Sequence, residues 1–264
     1  MPETLETVDI KFDEKTGVGH LTMNRPNALN ALSSQLRTDI IAGLQQLEAE
    51  NDDADGIALR AVIIEGAEGN FCAGADITEF SDDSAGARSE RGHYQFISEF
   101  PVPIIAKIQG YCLGGGLETA MSCDFRFAHE DARFGLPEVD LGIIPGAGGV
   151  QFISRLNNPS VAMEIAMTGE HITATRAADL GIANRVYGDE LDDETQAFAE
   201  KIASKPPLAV QAIKDSATVA TEVGLREGRK YDRRLIEPLF GTEDFEKGAR
   251  AFAEDDYEPE FKGR

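Results

Sequence analysis

The sequence predicts an α/β protein built as a spiral of small, repeated strand–strand–helix (ββα) units, with a helical region at its C-terminal end. Short apolar strand patterns recur between glycine turns and helical patterns along most of the chain, which favours small units over one long doubly wound sheet. After Pro206-Pro207 the patterns are helical. We therefore predict a core over residues 1–205 that carries the functional site, and a helical appendage over residues 206–264.

The first elements follow from local patterns. Val8–Phe12 alternates with period two and Val18–Met23 follows after a turn, which predicts a β-hairpin. Apolar residues at helical spacing from Leu36 to Leu47 predict a helix, and Ala61–Gly66 has the composition of a buried strand. The polar stretch Ser81–Gly92 is typical of a mobile loop or a short helix.

The order of strand, turn and helix then recurs. Ile104–Ile108 is predicted as a strand, Gly114–Gly116 as a turn and Leu117–Ser122 as a helix. Phe125–Ala128 and Ala132–Gly135 continue the pattern of short strands. Further helical patterns cover Gly148–Ile153, Met163–Met167, Val210–Val223 and Phe245–Ala253.

The amino-acid composition restricts the class of protein. Hydrophobic residues make up 42% of the 264 positions, as in a globular protein. No apolar run is long enough to span a bilayer, and the first residues lack the pattern of an export signal. Cys72, Cys112 and Cys123 lack metal-ligand spacing and are expected to be reduced and buried. These features predict a soluble, cytoplasmic protein.

The net charge of −22 comes from scattered acidic clusters. Because such a surface repels phosphate backbones, it argues against nucleic acid as a partner. One hypothesis is adaptation to a salt-rich cytoplasm, where counterions screen the self-repulsion. The alternative is an acidic enzyme without such adaptation.

Two glutamates carry the chemical prediction. Glu118 follows the glycine turn Gly114–Gly116, and Glu138 follows Pro137 in a segment rich in glycine and proline. Two carboxylates held by rigid turns can position one water molecule and act as base and acid. The backbone N–H groups at the start of the helix can face a developing oxyanion. Together these groups favour chemistry at an acyl carbonyl.

Each segment taken alone also permits a simpler interpretation. Gly114–Gly116 can be a packing turn, with Glu118 placed to interact with the helix dipole. Glu138 can be a surface residue of a loop. The four histidines are isolated and lack the spacing of metal ligands, so no metal site is predicted.

The motifs closely resemble the crotonase (enoyl-CoA hydratase/isomerase) superfamily, and its enoyl-CoA hydratases in particular. The resemblance implies a crotonase-like spiral with a helical C-terminal region. It covers nearly the whole chain, because five motifs occur in the family's order and spacing: Met23–Leu32, Phe71–Asp76, Gly114–Asp124, Phe134–Gly149 and Thr242–Phe252.

The resemblance implies a role for each matching residue. The backbone N–H groups of Ala75 and Gly115 match the oxyanion hole, and Gly74 and Gly114 are flanking residues that contact the substrate. Glu118 matches the base that activates water and Glu138 the acid that protonates C2, a division that can also be shared or reversed. Backbone contacts to coenzyme A match Ala28, Ala73, Asp76 and Ile77.

The implied activity is reversible syn hydration of a trans-2-enoyl-CoA to a 3-hydroxyacyl-CoA. The pathway stays open between fatty-acid β-oxidation, amino-acid breakdown and carbon fixation through 3-hydroxypropionyl-CoA. No metal or redox cofactor is expected, since coenzyme A is part of the substrate. The expected assembly is a homotrimer, or a hexamer made of two trimers. Alternatives are a Δ3,Δ2-enoyl-CoA isomerase and, in a different class, a non-catalytic member that binds CoA esters or RNA.

One segment departs from the family's pattern. Where hydratases usually carry a basic stretch that helps to hold the CoA phosphates, this chain has the acidic Ala253–Glu258. Other cations are then required, and the candidates are Arg25, Lys247, Arg250 and Lys262. Acyl-chain length is expected to depend on the region Phe80–Phe100.

Overall fold

The structure is a computed structural model that describes residues 4–52, 54–79, 92–254 and 256–264. The polar stretch predicted as a mobile loop or short helix lies outside these residues, except for Gly92, where a helix begins. Most of Phe80–Phe100, the region expected to influence acyl-chain length, lies outside them as well.

The described residues form two sheets. The larger sheet has six strands in the order β1-β2-β3-β4-β6-β9, and each neighbouring pair is parallel except β1 with β2. Its strands are β1 (Val8–Asp13), β2 (Val18–Met23), β3 (Ala61–Gly66), β4 (Ile104–Ile108), β6 (Phe125–His129) and β9 (Arg185–Tyr187). The smaller sheet contains β5 (Tyr111–Leu113), β7 (Arg133–Gly135) and β8 (Ile172–Thr173), in that order.

Helices cover the sheets and form the C-terminal region. In chain order they are α1 (Ser34–Glu48), α2 (Gly92–Glu99), α3 (Gly115–Ser122), α4 (Gly149–Leu156), α5 (Pro159–Thr168), α6 (Ala174–Asp179), α7 (Leu191–Ala203), α8 (Pro207–Val219), α9 (Leu225–Leu239) and α10 (Glu243–Ala253). Among the described residues after Pro206, no strand occurs. The predicted strands and the helical character of the C-terminal region are therefore confirmed.

The chain advances as a spiral because successive strands alternate between the two sheets. β4 belongs to the large sheet and β5 to the small one, and α3 follows; β6 and β7 repeat this order. An isolated parallel bridge between Cys72 and Cys112 pairs the segment after β3 with β5 of the small sheet. This geometry confirms the predicted spiral of ββα units.

The main core lies between the large sheet, α1 and α3, and its side chains are nearly all aliphatic or aromatic. Hydrogen bonds of a buried lysine join the helical C-terminal region to this core. Lys214 of α8 is buried and donates to Asp124 Oδ2 at 2.7 Å and to the Val102 carbonyl at 3.2 Å. By contrast, α9 contains no buried residue. In the part of the chain that the structure describes, no helix has the length and apolarity needed to cross a membrane.

Candidate active site

Three chain segments meet where β5 leads into α3. The Leu113 N–H donates to the Cys72 carbonyl at 3.0 Å, and the Leu32 N–H donates to the Gly74 carbonyl at 2.8 Å. These two hydrogen bonds hold the residues after Cys72 between the start of α1 and the start of α3. Ala75 is thereby brought next to Gly115.

Glycines allow this close approach. Gly114 has φ +50° and ψ −125°, a conformation that residues with a Cβ rarely adopt. A Cβ on Gly116 would lie 2.3 Å from the Cys72 carbonyl oxygen, closer than two such atoms can come. The glycine turn is therefore required both by backbone conformation and by packing.

Two backbone N–H groups next to this turn have no hydrogen-bond acceptor among the described residues. Among the described residues, neither the Ala75 N–H nor the Gly115 N–H donates a hydrogen bond. The Ala75 nitrogen lies 3.7 Å from the position that a Cβ on Gly115 would occupy, and both residues line the same cavity. Since Gly115 also begins α3, the positive end of the helix dipole points to the same place.

Glu118 lies one turn into α3 and is 3% exposed. Its Oε1 accepts hydrogen bonds from the Ala147 N–H at 2.6 Å and the Gly149 N–H at 2.9 Å. These donors belong to the segment that opens α4, so the carboxylate also ties α3 to α4. A Cβ on Gly149 would lie 2.9 Å from Leu136 Cδ2, so a larger residue here would displace the Leu136 side chain.

Glu138 lies in a short 3-10 helix over Pro137–Leu141 and is half-buried. Burial raises the pKa of its carboxyl from 4.5 to about 7, and the negative charge of Glu118 contributes in the same direction. Its Oε2 is buried and has no hydrogen-bond partner among the described residues, while Oε1 lies 2.9 Å from the position of a Cβ on Gly114. A buried carboxyl oxygen without a donor is able to bind a ligand or a water molecule.

The two glutamates and the two free N–H groups line a single cavity of about 1160 Å³. The rest of its wall is largely apolar, and the sequence had indicated none of these apolar lining residues individually. They include Val139, Ile143, Ile144, Val150, Met163 and Met167. Arg37 and Tyr94 also line the cavity. Tyr94 lies in the region Phe80–Phe100 that was expected to influence acyl-chain length, but neither residue was predicted individually.

The segments predicted to contact coenzyme A lie side by side. The Ala73 N–H donates to the Leu29 carbonyl at 3.0 Å, next to Ala28. Asp76 forms a salt bridge with Arg25 at 2.9 Å, and Ile77 is 61% exposed. The structure therefore brings Ala28, Ala73, Asp76 and Ile77 together beside Ala75, although their expected contacts with coenzyme A stay a prediction.

The four candidate phosphate ligands already have acceptors within the chain. Arg25 is paired with Asp76, and the Lys247 Nζ donates to the Glu260 carbonyl at 2.8 Å. The remaining two form salt bridges: Arg250 with Glu254 at 2.9 Å and Lys262 with Asp55 at 2.8 Å. Any of them would have to exchange or share a partner in order to bind a phosphate.

Comparison with known proteins agrees with this geometry. The chain matches the family model described as enoyl-CoA hydratase/isomerase over residues 13–264. A probable mitochondrial enoyl-CoA hydratase from Dictyostelium discoideum is 39% identical over 92% of this chain and 87% of its own length. A 2,3-dehydroadipyl-CoA hydratase from Escherichia coli K12 is 38% identical over 92% of this chain and 94% of its own.

Solved structures give the same result. An enoyl-CoA hydratase from Geobacillus kaustophilus superposes with a TM-score of 0.89 at 35% identity, covering 98% of this chain and 99% of the other. One from Bacillus anthracis gives a TM-score of 0.88 at 32% identity, with 98% and 100% covered. The fold and these relatives thus define an enzyme of the crotonase type. The chain belongs to the enoyl-CoA hydratase/isomerase family.

Proposed function

We propose that the protein is an enoyl-CoA hydratase that adds water reversibly and syn across the double bond of a trans-2-enoyl-CoA, giving a 3-hydroxyacyl-CoA. One observation carries this proposal: two carboxylates and two free backbone N–H groups line the same cavity. The N–H groups can donate hydrogen bonds to the thioester oxygen, and the carboxylates can bind the water that attacks C3.

The N–H groups of Ala75 and Gly115 form the oxyanion hole in this mechanism. Attack of water on C3 moves electron density through C2 to the thioester oxygen, which becomes an enolate oxygen. Donors that are already oriented stabilise this charge without reorganisation, and removing one such donor typically costs about 10²–10³ in rate. Gly74 and Gly114 serve by letting the backbone approach the substrate without a Cβ.

Glu118 and Glu138 transfer the protons. Glu118 accepts a proton from the attacking water as the C3–O bond forms, and Glu138 donates its proton to C2 as the enolate collapses. The pair holds one proton before and after the reaction, so no net proton is consumed. The raised pKa of Glu138, about 7, supports the acid role, because the carboxyl is half protonated near neutral pH. The reverse division of roles is the alternative.

The acyl chain occupies the apolar part of the cavity. Side chains of Ile143, Ile144, Met163 and Met167 are 42–78% exposed and lie on its wall, which suits a hydrocarbon chain. The Escherichia coli relative is named for a dehydroadipyl-CoA substrate, so a panel of substrates should include a dicarboxylic one. Rates over enoyl-CoA esters from C3 to C16 will define the chain length and the pathway.

Crotonyl-CoA tests the activity directly. The hydratase proposal predicts loss of the conjugated thioester absorbance and a product heavier by one water. The isomerase alternative predicts that a 3-enoyl-CoA is converted to its 2-enoyl isomer while crotonyl-CoA is left unhydrated. Retention of two carboxylates at one cavity favours the hydratase, since an isomerase needs one group to move a proton within the chain.

The non-catalytic alternative is tested by substitution. Glu118→Gln and Glu138→Gln should each reduce hydration by about 10²–10⁴ while binding of a CoA ester is retained. Full activity in either variant contradicts the mechanism. RNA as the partner is disfavoured by the net charge of −22.

We also propose that residues 206–264 mediate assembly into a homotrimer or a hexamer of two trimers. Large apolar side chains of α9 and α10 support this, since Ile236, Phe240, Phe245 and Phe252 are 46–95% exposed. Such side chains are commonly covered by another subunit. Light scattering after gel filtration measures the mass, and a monomer would contradict the proposal.

We propose that the reaction uses only the protein, water and the CoA thioester, because the two carboxyls can carry out both proton transfers as general base and general acid. We propose a cytoplasmic location, which the three buried, free thiols support.

A further inference from the structure

Tyr94 has a hydroxyl group that the proposed mechanism does not use. The residue lies on α2 and lines the cavity. Its hydroxyl oxygen lies 2.8 Å from the position that a Cβ on Gly115 would occupy, and the Ala75 nitrogen lies 3.7 Å from the same position. Among the described residues, no group forms a hydrogen bond with this hydroxyl. The hydroxyl therefore lies on the same side of Gly115 as the Ala75 N–H group.

The contact between α2 and α3 holds the tyrosine there. His93 is fully buried, and its Nε2 lies 3.2 Å from Thr119 Oγ1. The Thr119 hydroxyl in turn donates to the Gly115 carbonyl at 2.9 Å. The residue next to Tyr94 is thus linked to the residue that begins α3, which limits how far the tyrosine can move from Gly115.

We propose that the Tyr94 hydroxyl is a third hydrogen-bond donor to the thioester oxygen, beside the N–H groups of Ala75 and Gly115. This inference rests on the proposed function, because it assigns a further catalytic residue to the same oxyanion hole. The hydroxyl and the Ala75 nitrogen lie 2.8 Å and 3.7 Å from one point beside Gly115, so an oxygen placed between the two groups is within hydrogen-bond range of both. The hydrogen bond should strengthen as the oxygen becomes an enolate.

The surroundings keep this hydroxyl protonated. Burial raises the pKa of Tyr94 well above its ordinary value, and the negative charge of Glu118 acts in the same direction. The group therefore acts as a donor throughout the working pH range. A Cβ at position 115 would contact both this hydroxyl, at 2.8 Å, and Leu32 Cδ1, at 3.1 Å.

The first test is Tyr94→Phe, which removes the hydroxyl and keeps the ring. We expect kcat for crotonyl-CoA to fall at least about tenfold with little change in KM. The specific readout is the infrared carbonyl band of bound butanoyl-CoA labelled with ¹³C at C1, a saturated ester that cannot be hydrated. Binding to the wild-type protein should shift this band to lower frequency, and the shift should be smaller in the variant.

The matched control is Tyr111→Phe. Tyr111 is 40% exposed on β5 and is not among the residues that line the cavity. It should leave both the carbonyl band and kcat unchanged. A band in Tyr94→Phe that equals the wild-type band overturns the proposal, even if kcat falls, because the loss of rate would then come from altered packing.

The second test examines the position of the hydroxyl without any substrate. Gly115→Ala places a Cβ 2.8 Å from the Tyr94 hydroxyl and 3.1 Å from Leu32 Cδ1. The substitution should therefore lower the melting temperature more in the wild-type background than in Tyr94→Phe. Equal losses in the two backgrounds would show that the hydroxyl lies elsewhere and would overturn the proposal.

The hydratase proposal and the Tyr94 proposal can be refuted independently of each other. Turnover of crotonyl-CoA by the wild-type protein tests the hydratase proposal alone. If turnover is observed and the carbonyl band is independent of Tyr94, the third donor is refuted and the hydratase stands. If turnover is absent while the band of bound butanoyl-CoA depends on Tyr94, the donor stands and the hydratase is refuted.

Discussion

Replacing Glu138 with glutamine should stabilise the folded protein at alkaline pH while it removes activity. The carboxyl is half-buried, and its pKa is raised from 4.5 to about 7. A pKa difference of this size means that ionising the carboxyl costs about 3 kcal/mol more in the folded chain than in the unfolded chain. We halve this to ~1.5 kcal/mol because solvent reaches part of the side chain and screens its charge.

The sign follows from the direction of the pKa change. The folded protein binds this proton more tightly than the unfolded chain does, so the wild-type protein pays no penalty below pH 4.5, where both states are protonated. The penalty grows as the pH rises and is complete above about pH 7. Glutamine carries no charge, so the advantage of Glu138→Gln should be present at pH 8 and should shrink toward pH 5.

Thermal melts at pH 5 and pH 8 measure this difference. For a chain of this length ~1.5 kcal/mol corresponds to a shift of about 3–6 °C. Glu130→Gln is the matched control, because Glu130 is exposed and should show no such dependence. A Glu138→Gln protein whose melting temperature at pH 8 equals or falls below that of the wild type would refute the assigned environment of this carboxyl.

Four further outcomes are expected. Values of kcat/KM for hydration should fall about tenfold per pH unit above pH 7, because the carboxylate pair must retain one proton to supply both an acid and a base. Values for dehydration must follow the same profile, since a pH-independent equilibrium fixes the ratio of the two, and a kcat/KM that stays constant from about pH 7 to pH 9 would contradict the prediction. Gly116→Ala should destabilise by about 2 kcal/mol or more in urea titrations, since its Cβ meets the Cys72 carbonyl at 2.3 Å. Gly228→Ala in α9, where the nearest atom is 3.9 Å away, should gain about 0.5–1 kcal/mol. If the charge of −22 reflects adaptation to salt, the melting temperature should rise from low to molar KCl, and an unchanged value would exclude that hypothesis.

Sequence patterns predicted the strands well because buried parallel strands are short, apolar and bounded by turns. Ala61–Gly66 and Ile104–Ile108 were both predicted at the bounds that the structure gives. Helix α7, Leu191–Ala203, was not predicted. Its first turn contains Asp192 and the acidic residues after it, which were noted only as one of the scattered acidic clusters. Acidic side chains stabilise the first turn of a helix, so these residues also indicate a helix start.

The candidate site was predicted in part. The difference between the residues that were predicted and those that were not has a physical cause. Glu118 and Glu138 could be found because each follows residues with special backbone conformations, which leave a trace in the sequence. The apolar wall of the cavity and Tyr94 could not, since an apolar or aromatic residue at helical spacing looks the same whether it faces a core or a ligand. Their role depends on which helices pack around Gly115, and a single sequence does not show this.

The two glutamates are held in opposite ways, and this leads to opposite expectations for stability. Glu118 is buried with two backbone donors on Oε1, whereas the buried Oε2 of Glu138 has no donor among the described residues. Glu118→Gln replaces two charge-assisted hydrogen bonds by weaker neutral ones, so it should destabilise by about 1 kcal/mol at pH 8. At the same pH Glu138→Gln should stabilise, although both variants lose activity. Urea titrations at pH 8 compare the two directly, and equal signs would show that the two carboxyls do not differ in their surroundings as described.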